Sequence, residues 1–159
     1  FTYIESVDFS RDFPHTIRLQ VREHRPFVYL KAVDGQLFLL TDSAMVLEGV
    51  DSPTAEWPLL TTAEPCVVEP GRRADCADVF TGVGFLANVP VSFHERIVEV
   101  AVDDDAISFK TASGATVRFG SIDDANLKFE VARQLIARTV QGGAPVSIDV
   151  SVPDRPVTR

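Results

Sequence analysis

Two cysteines and three histidines are the side chains of this chain best suited to nucleophilic or metal chemistry, and their spacing argues against both. A structural zinc site needs donors such as CxxC, where one tight turn aims both sulfurs at the same ion. Cys66 and Cys76 form no such pair and have no histidine cluster near them, while His15, His24 and His94 fit neither HxxxH nor HExxH. Two readings of the cysteines stand side by side. As independent thiols they pack like small hydrophobes. As a disulfide they close a short loop, stabilise by ~3 kcal/mol in the chain-entropy picture, and need an oxidising compartment.

The remaining groupings are weaker. His94-Glu95 has the parts of a base and its orienter, but such a pair at the start of a strand normally faces solvent. Gly82-Val83-Gly84 lacks the third glycine of a dinucleotide loop and sits inside a helical pattern. Asp103-Asp104-Asp105 lacks the alternate oxygen ligands and closing glutamate of a calcium loop. Asp123-Asp124 reads as a pair of first-turn carboxylates complementing a helix dipole. No GxSxG elbow or Walker loop occurs. The expectation is a protein without cofactor or metal, and not an enzyme.

Composition narrows the class further. The 159 residues carry 15 basic and 23 acidic side chains, a net charge of −8, with 45% hydrophobic residues. Nucleic-acid binding needs clustered Lys and Arg, which are scattered here, so that class is set aside. The hydrophobic fraction is that of a folded globular domain. No run reaches the ~18 apolar residues of a membrane helix, so an anchor or export signal is expected only outside these residues.

The elements follow from periodicity. Ile17, Leu19 and Val21 alternate with Arg18, Gln20 and Arg22, the mark of a half-buried strand. Tyr3 to Phe9 reads as its hairpin partner across a turn at residues 11–15. After Pro26, Phe27 to Ala32 and Gln36 to Leu40 flank Val33-Asp34-Gly35, a strong hairpin signal. Thr41 to Pro65 carries three prolines and reads as irregular, with Trp57, Leu59 and Leu60 in the core. Ala74 to Ala87 predicts a helix on Val79, Phe80, Val83 and Leu86.

Ile97 to Val102 predicts a strand, and Ile107 to Phe119 a hairpin turning at Ser113-Gly114. Ser121 with Asp124 resembles a capping box opening a second helix, whose stripe is Leu127, Val131 and Leu135, widened by Ile136 and Val140. Gly142-Gly143 stops that helix. A last strand is expected over Val146 to Val152, ending at Pro153. The fold class is therefore α+β, a mostly antiparallel sheet with two main helices.

In this order the segments resemble the FtsQ/DivIB family of bacterial cell-division proteins. Pro14 to Val28 is similar to the end of that family's POTRA domain, with His24 where its arginine stands and Phe27-Val28 where it has Val-Ala. Val33 to Phe38 resembles the step into its β domain, and Trp57-Pro58-Leu59-Leu60 an apolar-Pro-x-Leu segment. Ile107 to Gly120 followed by Lys128 resembles a hairpin ending in glycine and a helix bearing lysine. Ile148 to Pro153 with Pro156-Val157 resembles the terminal strand.

The resemblance implies residues 1–25 as a partial POTRA domain and 26–159 as a β domain. It implies an anchored protein on the extracytoplasmic face of the cell membrane at the division septum. Its implied partners are FtsB/DivIC-like and FtsL-like proteins, bound by strand addition at the C-terminal strand. Val146, Ile148, Val150, Ser151, Val152 and Pro153 are the expected contact residues, with Lys128 on a neighbouring surface. The physical rationale is that a terminal strand at a sheet edge presents unpaired N–H and C=O groups. A POTRA-bearing module of outer-membrane assembly, transport or adhesion is the alternative.

Overall fold

The computed structural model describes residues 2–139, 147–153 and 156–158. The first two strands, β1 (Ile4–Asp12) and β2 (Thr16–Glu23), form a two-stranded antiparallel sheet. Val7 opposes Val21 and Phe9 opposes Leu19, so one face is an apolar ladder and the other is polar. The strands were expected to be half-buried. Instead both faces lie open, with Phe9 78% and Leu19 68% exposed. Period-two alternation fixes which residues share a face but not whether anything covers it.

All other strands belong to one sheet of nine, ordered β11-β10-β9-β8-β7-β6-β3-β4-β5. In chain order these are β3 (Val28–Lys31), β4 (Leu37–Leu40), β5 (Val46–Val50), β6 (Leu59–Thr62), β7 (Ile97–Asp103), β8 (Ala106–Thr111), β9 (Thr116–Gly120), β10 (Ser147–Asp149) and β11 (Val157–Thr158). The expected hairpins are present: Gly35 (φ +87°) and Gly114 (φ +91°) take the left-handed turn positions that glycine adopts without strain. Asp104 and Asp105, both left-handed, turn β7 into β8.

The segment 41–65, read as irregular, contains two strands. β5 pairs antiparallel with β4 on one sheet edge. β6 lies between β3 and β7, parallel to both. A short parallel strand flanked on both sides has no alternation to reveal it, because continuous runs such as Leu59-Leu60 serve both faces. Leu60 is fully buried; Trp57 and Leu59 pack around Tyr29, Leu39 and Leu47 on the opposite face of the sheet.

Both helices are crossovers between parallel strands. Helix α1 (Ala77–Ala87) links β6 to β7, and α2 (Ala125–Thr139) lies between β9 and β10. They cover the same sheet face, where Phe85 of α1 and Phe129 of α2 stack with centroids 5.3 Å apart. Phe93, Phe109 and Phe119 complete the cluster, each ring at an offset or edge-on contact with its neighbours.

Two details of α2 correct the sequence reading. The buried stripe is Lys128, Phe129, Ala132 and Ile136, whereas Leu127 is 49% exposed and Val131 and Leu135 are half-buried. The stripe sits one residue later because a lysine occupies a core-facing position, which hydrophobic periodicity cannot signal. The capping box does not form either: the Ser121 hydroxyl donates to the Asp123 carboxylate at 2.9 Å, and Asp124 takes a left-handed conformation before the helix begins. Asp123 and Asp124 therefore precede the first turn. Val140 and Gly142-Gly143 lie outside the described residues.

Candidate functional site at the two sheet edges

A nine-stranded open sheet has two edges, and each offers a row of backbone donors and acceptors. At the terminal edge, β10 runs parallel to β9, pairing Ser147 with Thr116, Ile148 with Val117 and Asp149 with Arg118. The Val150 N–H donates to the Arg118 carbonyl at 2.9 Å, so Val150 and, by alternation, Ile148 direct their backbone toward β9. Ser147 and Asp149 then face β11, which pairs antiparallel through Ile148 with Thr158 and Asp149 with Val157.

Among the described residues the strand expected over Val146 to Val152 spans Ser147–Asp149, and β11 lies outside it at the edge. The chain bends after Asp149, whose carboxylate accepts from the Ser151 N–H (3.0 Å) and hydroxyl (2.6 Å). This side-chain turn ends the strand and sends the chain through Val152 and Pro153 toward β11. Ile148 and Val150 are fully buried, Ser151 and Pro153 half-buried, and Val152 is exposed. Val146 lies outside the described residues. With Val157 turned inward, Thr158 presents its backbone outward at the sheet's end.

Lys128, expected on a surface beside the contact residues, is buried instead. It is 2% exposed; its ammonium donates to the Ser121 carbonyl at 2.8 Å and lies 5.3 Å from the Phe119 ring centre. A charge this deep needs such partners. The contact fixes the chain just beyond Gly120, where β9 ends against Ser151.

The opposite edge, β5, is covered at its start. Residues 71–74 run along it: the Val46 N–H donates to the Arg72 carbonyl (2.9 Å), and the Gly71 N–H to the Val46 carbonyl (2.8 Å). Arg73 bridges to Met45 and its Nε donates to the Ser43 carbonyl at 2.8 Å. This segment lies within a loop whose ends, Cys66 and Cys76, are joined by a disulfide. Tyr3 adds a hydroxyl donated to Glu48 of β5 at 2.6 Å. Burial first, then the bond to Glu48, pushes the Tyr3 phenol up to about 12.

Groups singled out for chemistry are dispersed. His94 is exposed, and Glu95 accepts from Ser113 at 2.8 Å rather than orienting it. Asp105 accepts from Thr81 at 3.2 Å. Among the described residues no three His, Cys, Asp or Glu side chains converge as a metal site. An open hollow of about 460 Å³ lies between the β3–β4 turn and the end of β5, lined by Asp34, Gly35, Leu37, Gly49 and Asp51. Among the described residues no helix is long and apolar enough to cross a membrane.

The molecule belongs to the class of α+β sheet domains with crossover helices on one face, preceded by a β-hairpin. Its sequence is 26% identical, over 98% of the chain, to a protein of Streptomyces venezuelae named cell division protein FtsQ. It is 27% identical, over 86% of the chain, to a Myxococcus fulvus protein of the same name. These matches support membership of the FtsQ/DivIB family. The chain spans about half the length of these relatives, 56% of one and 47% of the other. No family model matches it.

Proposed function

We propose that the chain is the extracytoplasmic part of a non-catalytic cell-division scaffold that receives a strand from an FtsB/DivIC-like partner at its terminal sheet edge, close to an FtsL-like protein. The observation that carries this reading is the asymmetry of the two edges. The start of β5 is paired at Val46 with Gly71 and Arg72, whereas nothing among the described residues pairs with the outer side of β11. Strand addition needs such an open edge. The names of the two relatives support the setting in cell division. In this reading residues 1–25 are the end of a POTRA domain and 26–159 the β domain, held at the septal membrane by an anchor elsewhere in the protein.

The individual residues take distinct roles. Ile148 and Val150 hold β10 to the core from beneath. Ser151, locked by Asp149, sets the bend, and Val152 with Pro153 flank the path of the incoming strand. Val146 directly precedes β10 in the sequence. Lys128 acts through the Ser121 carbonyl, positioning β9 beneath β10 rather than touching the partner.

The test is binding of a peptide from the extracytoplasmic end of an FtsB-like protein of the same cell, compared with Thr158→Pro. Proline removes the outward N–H of β11 while leaving Val157 paired to Asp149. Saturable binding that falls at least tenfold in Thr158→Pro, with circular dichroism unchanged, supports the proposal. Absence of binding to high micromolar peptide by the folded chain removes it. Val150→Pro is unsuited to this purpose, because the Val150 N–H already bonds inward to Arg118.

A further inference from the structure

The cover over the start of β5 is a device that chemistry can open. We infer that the loop joined by Cys66 and Cys76 is a redox-sensitive strap: oxidised it covers residues 43–46, where β5 starts, and reduced it lets that stretch go. The inference is independent of the partner proposed for the terminal edge.

The strap's grip is almost wholly polar. Besides the two bonds around Val46 and the Arg73 bond to Ser43, the Ala74 N–H donates to the Ala44 carbonyl at 2.9 Å. Of residues 67–75 only Ala74 is buried and only Val68 half-buried; the others are exposed. A segment held by solvent-facing backbone bonds and little apolar burial opens at low cost unless its ends are fixed. Here the ends are fixed. Cys66 and Cys76 are half-buried and pack against the main core, and the bond between them holds the span to a compact loop.

The second cysteine adds a further consequence. Cys76 is the N-cap of α1, in an extended conformation, and its side chain makes no capping hydrogen bond. Helix starts depend on such caps to occupy their free N–H groups. The disulfide therefore fixes the place where the strap meets α1, and its loss frees both. The sheet beyond is held by other means, the phenylalanine cluster and the ladders of β7 to β9.

The chemistry balances with a dithiol reductant. One of its thiolates attacks a protein sulfur, giving a mixed disulfide and one free cysteine. Its second thiolate then closes a disulfide within the reductant and releases the other cysteine. The protein gains two electrons and two protons, and the reductant loses them. The half-buried cysteines leave a path for this attack. The released strap leaves Val46 with an unpaired N–H and C=O, extending the open edge of β5 to its first residue.

Residue-resolved amide hydrogen exchange on the whole chain tests this, with and without dithiothreitol, reduction being verified by thiol labelling. The expected result is at least tenfold faster exchange at Val46, Gly71 and Ala74, with Phe109 and Val117 unchanged and full reversal on reoxidation. Unchanged exchange at the three strap amides in reduced protein overturns the inference. So does a uniform acceleration throughout the sheet, which would make the disulfide a general stabiliser. Should dithiothreitol fail to reach the bond, the Cys66→Ala/Cys76→Ala double variant gives the same readout. Failure of that variant to fold counts against the strap as well.

Discussion

Gly120 and Ser151 touch backbone to backbone: a Cβ placed on Gly120 would lie 2.9 Å from the Ser151 Cβ and 3.3 Å from its Cα. Gly120 also holds φ +73°, a conformation that costs an L-residue energy before any neighbour is considered. The end of β9 and the bend after β10 are therefore built as one unit. Gly120→Ala is expected to destabilise the chain by roughly 2–4 kcal/mol, combining backbone strain with overpacking against main chain. Urea unfolding measures this. Exchange at the Val150 amide should accelerate beyond the global change, and a loss below about 0.5 kcal/mol would contradict the contact.

Two glycines a turn fraction apart in α1 should respond oppositely to the same substitution. Gly84 has open space where a Cβ would go, so Gly84→Ala gains helix propensity and stabilises by up to ~1 kcal/mol. At Gly82 the Cβ would come within 2.9 Å of both methyl carbons of Leu60, which is fully buried and has no free direction in which to move. Overpacking of about 1–3 kcal/mol outweighs the same propensity gain, and Gly82→Ala is expected to lower stability. Thermal unfolding of the two variants side by side checks the opposed signs.

These contacts show which parts of the molecule the sequence could reveal. Turn chemistry was legible at Asp34-Gly35 and Ser113-Gly114 because glycine is the residue that takes a positive φ freely, and the hairpins followed. The two helices were legible from apolar spacing. Parallel pairing was not: β6 reaches β7 and β9 reaches β10 only through a helix, and neither β6 nor β10 is long enough to display a period. The edge status of β10 depended on a two-residue return strand after Pro153, which no local pattern announces. The cover over the start of β5 depended on contacts between residues 43–46 and 71–74, distant in sequence and polar in character.

Lys128 illustrates the same limit energetically. Its buried ammonium satisfies the Ser121 carbonyl and faces the Phe119 ring. Lys128→Met keeps the apolar stem but leaves that carbonyl without its donor, at an expected net cost of about 1–2 kcal/mol after relief of the buried charge. Lys128→Glu places a carboxylate beside the carbonyl oxygen and should cost more than about 3 kcal/mol. Chemical denaturation gives both values. A surface lysine would show neither loss, so unchanged stability in both variants would refute the buried role.

The Tyr3–Glu48 contact predicts a pH dependence at the junction between hairpin and sheet. The folded chain keeps the Tyr3 proton up to about 12, above the ordinary value of 10.0, so it binds that proton more tightly than the unfolded chain does. The stability from this environment is fully present below about pH 10 and is lost as the pH rises toward 12. Phenolate absorbance in a Tyr29→Phe background follows Tyr3 alone, since the chain has two tyrosines. The midpoint should stand near 12 and fall in Glu48→Gln, which removes the charged acceptor. It should nevertheless remain above 10, because burial is the larger cause and survives the substitution. A midpoint at 10 in the parent chain would mean that Tyr3 is not held against β5 in solution.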